Sequence, residues 1–151
     1  MSSSTVPGVT RAAEGEQGIS WNILGQTYVP KHVNEDSFSW HATLPPGTFV
    51  PPHIHPTQDE FLYILKGEMS LWLDGTDDTA GPGDLVKLPR GTAHGLFNRS
   101  DGTIEVFFYV APTGKLHDLF QAIHDLPEQT GEAVSALAAE HDVDFLPPPA
   151  E

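Results

Sequence analysis

Between Gly47 and Asn98 three histidines sit inside short strand-like runs that glycine and proline keep apart, and few folds accommodate that combination. The stretch opens G-T-F-V-P-P-H-I-H-P-T-Q-D-E-F-L-Y-I-L-K-G and closes G-D-L-V-K-L-P-R-G-T-A-H-G-L-F-N. Alternate residues of a strand point to one face about 6 to 7 Å apart, so His53 and His55 present their imidazoles side by side. That spacing suits two nitrogens gripping one ion. Pro51 and Pro52 hold the approach to them extended. His94 arrives from a distant strand through the turn Pro89-Arg90-Gly91, so a shared site would be closed by the fold rather than by local sequence. Pro56 and Thr57 turn the chain, and counting across that turn does not separate Gln58, Asp59 and Glu60 as the next donor. Only Gln58 and Glu60 share a face with Leu62 and Ile64.

The surrounding pattern is that of an all-β domain. Fourteen Gly and fourteen Pro punctuate short apolar runs that recur every eight to twelve residues, the spacing of a sandwich or barrel. From Ser37 to Leu44 the alternation sets Phe38, Trp40, Ala42 and Leu44 on one face. Residues 18–24 and 26–32 read as short strands, with Pro30 placing the second at a sheet edge. Residues 60–73 read as two strands joined at Lys66-Gly67-Glu68, and Asp74-Gly75 is a hairpin turn. Leu85 to Leu88 and Ile104 to Val110 continue the series. After Ala111-Pro112 the period changes: Leu116, Leu119, Phe120 and Ile123, then Val134, Leu137 and Ala138, predict two short amphipathic helices. The expected organisation is an N-terminal arm over 1–17, mobile or lent to a neighbour as a strand, then a β-barrel over 18–112 and a helical segment over 113–151 that packs on it.

Composition limits the partners. With 21 acidic against 7 basic residues the net charge is −14, a surface that repels nucleic acid and anionic membranes. The absence of an 18-residue apolar run and of a basic-then-apolar start leads us to expect a cytoplasmic location. No cysteine is present, so a metal would be held by nitrogen and oxygen donors alone.

Two spaced patterns carry a resemblance. Gly47, His53, His55, Glu60 and Gly67 meet G-x5-H-x-H-x4-E-x6-G, and Gly83, Pro89, Gly91, His94 and Asn98 meet G-x5-P-x-G-x2-H-x3-N. These resemble the two motifs of the cupin superfamily at every defined position, over about a third of the chain. The resemblance implies a small jelly-roll β-barrel (a double-stranded β-helix) with short C-terminal helices, forming a homodimer. It also implies that His53, His55, Glu60 and His94 bind one divalent ion per chain. Within the superfamily the chain looks most like quercetin-dioxygenase-like proteins and polyketide cyclases. Such a donor set suits Fe(II), Ni(II), Mn(II), Cu(II) or Zn(II) and leaves one or two coordination positions for substrate, with Glu60 as the candidate catalytic carboxylate.

If Glu60 and His94 point inward, parity places Trp40, Leu62, Ile64, Met69, Leu71, Leu96 and Phe108 on the same inner face as the substrate pocket. An apolar, aromatic lining favours a small flat hydrophobic ligand over a sugar or phosphate. The opposite parity turns Phe61, Tyr63, Leu65, Phe97, Phe107 and Tyr109 outward, more apolar surface than a soluble monomer leaves in water. The helix face of Leu116, Leu119, Phe120 and Ile123 is expected to cover part of it, and a partner subunit the remainder. His41 is expected to be exposed or at an interface, and His117 and His124 to lie at the surface. Three activities fit these features: a metal-dependent dioxygenase acting on an aromatic or polyphenolic compound, a cyclase or isomerase using a Lewis-acid metal, and a non-catalytic binding barrel.

Overall fold

The computed structural model describes residues 6–147. Eleven strands and two helices follow in the order β1 (Trp21–Ile23), β2 (Gln26–Val33), β3 (Phe38–Leu44), β4 (Phe49–Ile54), β5 (Asp59–Lys66), β6 (Met69–Leu73), β7 (Thr76–Ala80), β8 (Leu85–Leu88), β9 (His94–Phe97), β10 (Ile104–Ala111), α1 (Leu116–His124), α2 (Gly131–Glu140) and β11 (Asp144–Phe145). They form two sheets, β1-β2-β3-β10-β5-β8 and β11-β4-β9-β6-β7, whose paired strands all run antiparallel. The architecture is the expected jelly roll with two C-terminal helices; among the described residues the two sheets do not close edge to edge.

Alternation decides what the sheets bury. Phe38, Ala42 and Leu44 of β3 are fully enclosed, as are Ile64 of β5 and Val106 of β10, whereas Tyr63, Leu65 and Tyr109 on the opposite parity remain exposed. Strands β5 and β6 adjoin in sequence yet lie in different sheets. The turn between them needs Gly67, whose φ is +84° and where a Cβ would stand 3.0 Å from Ile104. Within the second sheet, β6 and β7 meet through Asp74-Gly75, both at positive φ, the backbone that a two-residue hairpin demands.

Two prolines sit in strands by different devices. Pro30 is not on an edge strand, since β2 lies between β1 and β3. Its missing N–H is tolerated because β1 pairs only as far as Tyr28 and a bulge falls just after Pro30 on the β3 side. Pro51 and Pro52 occupy a bulge of β4 between the pairs Val50↔Leu96 and His53↔His94. That extra residue changes the inward parity of β4. His53 thereby joins the face to which His94 points.

Helix α1 buries the predicted face, Leu116, Leu119, Phe120 and Ile123. Contrary to expectation these residues do not cover the outer aromatic surface of the barrel. They turn inward, and Phe120 enters an aromatic cluster with its ring 5.0 Å from Trp40, 5.1 Å from Tyr28 and 5.7 Å from Trp21. Helix α2 begins at Thr130, whose hydroxyl caps the Ala133 N–H. Part of the N-terminal arm, residues 1–5, lies outside the described residues. Further along the arm, Thr10 donates to the Lys31 carbonyl, and the Lys31 ammonium donates to the carbonyls of Arg11 and Glu14.

Candidate metal centre

Four polar side chains meet inside the barrel. His53 and His55 come from β4 and its end, Glu60 from β5 and His94 from the start of β9, and each is 5 % exposed or less. The three histidines present ring nitrogens that all lie within 4.8 Å of one another, an arrangement able to hold a metal ion. The Glu60 carboxylate Oε2 stands 3.6 Å from His55 Nε2 and 3.7 Å from His94 Nε2, too far for a hydrogen bond.

The local chain orients each ring from behind. His53 Nδ1 lies 2.8 Å from the Pro51 carbonyl, His94 Nδ1 3.1 Å from that of Thr92, and His55 Nδ1 2.9 Å from Gln58 Oε1. Every one of these partners is an acceptor, so the neutral form of each histidine carries its proton on Nδ1. In that form Nε2 keeps a lone pair. The turn that delivers His94 is tied to the rest of the site by Gly91, whose N–H donates to the His55 carbonyl from a backbone at φ +83°. Arg90 adds a two-pronged contact to Asp59, beside Glu60, and its guanidinium lowers the Asp59 pKa. Asn98, the last residue of the second motif, is no ligand. Its amide bonds the carbonyls of Leu44 and Gly102 and so locks two loops together.

Electrostatics couple the four groups. Burial disfavours the ionised form of Glu60, but His55, His94 and His53 outweigh that and hold its pKa at about 2. Burial, aided by the charge of His94 and His55, drives His53 well below 6.5. For His94 burial acts in the same downward direction, yet the neighbouring carboxylate prevails and raises it. Glu60 Oε2 and His94 Nε2 are buried with no hydrogen-bond partner among the described residues. Buried polar atoms without partners are costly, and a cation set between three imidazole nitrogens and a carboxylate oxygen satisfies both at once. The three histidines thus fit a metal ion, with Glu60 Oε2 beside two of them.

A cavity of about 50 Å³ opens beside this group. Of the expected pocket residues, Trp40, Leu96 and Phe108 line it, with the Trp40 and Phe108 rings stacked at 4.9 Å and 9°. Leu62, Ile64, Met69 and Leu71 are buried in the core but do not line this cavity. Parity told which face they occupy and not how far along the barrel they lie. The opposite wall comes from residues that alternation did not single out as lining: Leu119, Phe120 and Ile123 of α1, Val134 of α2, and Val143 and Phe145 at the C-terminus. Phe145 pairs with His53 across β11 and β4 and stacks on its ring at 5.4 Å. Tyr28 also lines the cavity; its hydroxyl donates to the buried Gln26, and burial, together with the charge of Glu60, raises its pKa. The indole N–H of Trp40 is buried with no partner among the described residues.

Gln58 was legible in part, because it shares the inward face with Glu60. Its amide also donates to the carbonyls of Pro112 and Thr113, so it connects His55 to the segment leading into α1. Among the other histidines, His41 contacts Glu105 at 3.3 Å. His117 is half-buried rather than at the surface, edge-on to Trp21 at 5.0 Å and Phe38 at 5.4 Å, where burial lowers its pKa. His124 is exposed, and its Nδ1 accepts from the Asn22 N–H.

Comparison with known proteins places this site in a family. Residues 40–111 match the family described as "Cupin domain". Quercetin 2,3-dioxygenase of Bacillus subtilis (strain 168) is 26% identical over 121 residues, which are 80% of this chain and 35% of that protein. Tetracenomycin polyketide synthase protein TcmJ of Streptomyces glaucescens is 30% identical over 84 residues, 55% of this chain and 56% of that protein. The chain thus spans about a third to just over half the length of these two relatives. An RmlC-like cupin from Shewanella frigidimarina NCIMB 400 superposes with a TM-score of 0.65 at 16% identity, over 74% of this chain and 96% of that one, a likeness of fold. No helix among the described residues is long and apolar enough to cross a membrane. The two-sheet barrel, the buried histidine group and the family match converge on one statement: residues 40–111 of this chain are a cupin domain.

Proposed function

We propose that this cupin is a metal-dependent dioxygenase acting on a small aromatic or polyphenolic compound. The observation that carries the reading is the junction of an aromatic cavity with the four-residue donor set: Trp40, Phe108 and Phe120 line the same space as His53, His55 and Glu60. The similarity to a quercetin 2,3-dioxygenase supports it. His53, His55, His94 and Glu60 hold one divalent ion, which when bound supplies the Lewis acidity and electron transfer that the side chains lack. The chain's own residues do the rest. Glu60, held as a carboxylate, keeps lone pairs beyond the one a cation would take, an acceptor for the hydroxyl of an incoming diol or enol. The stacked Trp40 and Phe108 receive the ring and exclude water, and the unpartnered Trp40 N–H donates to a substrate oxygen. Oxygen consumption by protein loaded in turn with Fe(II), Ni(II) and Mn(II), against a panel of catechols and flavonols, tests the reading; no uptake across the panel refutes it. A second reading, a cyclase or isomerase in which the metal polarises a carbonyl, rests on the similarity to the tetracenomycin polyketide synthase protein. Zn(II) in protein purified without added metal, together with absent oxygen uptake, favours it.

In the same proposal a second copy of the chain covers the outer face of the larger sheet. Phe61, Tyr63, Leu85, Phe107 and Tyr109 are adjacent there across β8, β5 and β10, and Tyr63, Leu65 and Leu85 are 46 to 53% exposed. Sedimentation of the wild type as a dimer and of Tyr63→Lys as a monomer supports this arrangement; a monomeric wild type refutes it.

A further inference from the structure

The cavity and the proposed ligand do not match in size. About 50 Å³ holds a few water molecules, whereas an apolar cavity that takes up a single benzene measures about 150 Å³. A ring can reach the donor set only if one wall moves, and the two walls are built very differently. The strand side is the barrel core. On the helical side, α1 is fastened firmly: Phe120 sits in the aromatic cluster, Gln121 accepts from the Trp21 indole, and Gln129 bonds both the N–H of Leu24 and the carbonyl of Asn22.

Beyond Gln129 few backbone hydrogen bonds tie the chain to the barrel. Among the described residues these are the bonds of the two residue pairs of β11 on β4 and one from the Leu146 N–H to the Pro52 carbonyl; the rest of the attachment is apolar, with Val134, Ala138 and Val143 in the hydrophobic core and Leu137 and Phe145 packed against it. The Lys115–Asp142 contact, at 3.8 Å between exposed side chains, adds little. Yet this segment, hydrogen-bonded to the barrel at few points, carries Phe145, whose ring lies parallel to that of His53 within 24° and takes a place that a flat ligand could occupy.

We propose that residues 130–147 form a hinged cover over the site, pivoting just after Gln129, and that Phe145 is its ligand-contacting residue. With the cover shut, Phe145 shields His53. When it opens, a planar aromatic molecule enters, and Phe145 closes on that ring. This inference rests on the aromatic-ligand reading above for the identity of the guest, while the hinge itself depends only on the fold.

Hydrogen exchange on the full-length chain tests the hinge directly. The amide of Leu146, bonded to the Pro52 carbonyl of the barrel, is expected to exchange at least tenfold faster than those of β3 and β10, because opening of the cover precedes unfolding of the barrel. Adding 4-nitrocatechol to metal-loaded protein should slow it again. Phe145→Ala should bind the same probe roughly fivefold more weakly, the loss expected for one ring contact, with metal content unchanged. Exchange of Leu146 as slow as the barrel overturns the hinge, and unaltered probe affinity in Phe145→Ala overturns the role of Phe145. Metal analysis of the same samples separates these failures from a failure of the functional reading: a wild type that takes up no metal refutes the metal-dependent enzyme, while the exchange pattern still decides the cover.

Discussion

Gln58 offers the sharpest test of how the site is held. Its side chain makes three hydrogen bonds, one to His55 Nδ1 at 2.9 Å and two from its amide, to the Pro112 and Thr113 carbonyls at 2.9 and 2.7 Å. Gln58→Ala removes all three and leaves buried polar groups unpaired. At roughly 1 kcal/mol net per bond, the loss is about 3 kcal/mol, which in a domain of this size lowers Tm by about 6 to 12 °C. Metal affinity should fall independently of stability. His55 loses the acceptor that keeps its proton on Nδ1 and its ring in place, and removal of such an outer partner costs about 10- to 100-fold. Gln58→Glu separates the two effects. A carboxylate still accepts from His55 Nδ1, so affinity is largely retained, but it cannot donate to the two carbonyls, so the stability loss persists. Competition titration with a chromogenic chelator reads the affinity, and thermal unfolding of the metal-free protein reads the stability. Affinity in Gln58→Ala within a factor of two of wild type would refute the orienting role, and equal affinities in the two variants with both much reduced would show that the His55 contact is not the operative one.

Further outcomes follow from other contacts. His53→Ala and His94→Ala should each abolish stoichiometric metal binding while leaving the far-ultraviolet circular dichroism of the barrel intact; one equivalent of tightly held metal in either variant refutes the donor set. Phe120→Ala removes the ring that joins Trp21, Tyr28 and Trp40, and denaturant unfolding should show a loss of about 3 to 5 kcal/mol. Trp40→Phe keeps the ring stacked on Phe108 but deletes the buried N–H, so it should raise KM for an oxygen-bearing aromatic substrate with little change in Tm; an unchanged KM removes that donor from recognition. The metal-free protein should also lose stability on acidification. His53 has a folded pKa below its unfolded value of 6.5, so the unfolded chain binds the proton first, and stability present above pH 6.5 is lost as pH falls toward the folded pKa. The slope is at most about 1.4 kcal/mol per pH unit for this one group. His94, shifted upward, works in the opposite direction. Replacing His53 by Gln should therefore flatten the decline of Tm between pH 7 and pH 5, and an unaltered profile would refute the assignment.

The sequence by itself determined the parts of this protein that depend on short-range periodicity. Period-two alternation set the inner faces of β3, β5 and β10, glycines and prolines marked the turns, and the spacing of His53 and His55 put both rings on one side. The change to a helical period after Pro112 announced α1 and α2. Tertiary structure decided whatever depended on position across the barrel. Leu62, Ile64, Met69 and Leu71 share the inward parity of Trp40 and yet do not line the cavity, because parity gives the face of a strand and not the depth along the barrel axis. The bulge at Pro51-Pro52, which brings His53 opposite His94, arises only when β4 is paired with β9. Gln58 became the orienting partner of His55 through carbonyls more than fifty residues away. Phe145, in a two-residue strand with no period to read, reached the ring of His53 only through pairing with a strand more than ninety residues earlier. A local repeat fixes the direction of a side chain; what that side chain meets is fixed by the register and packing of distant strands.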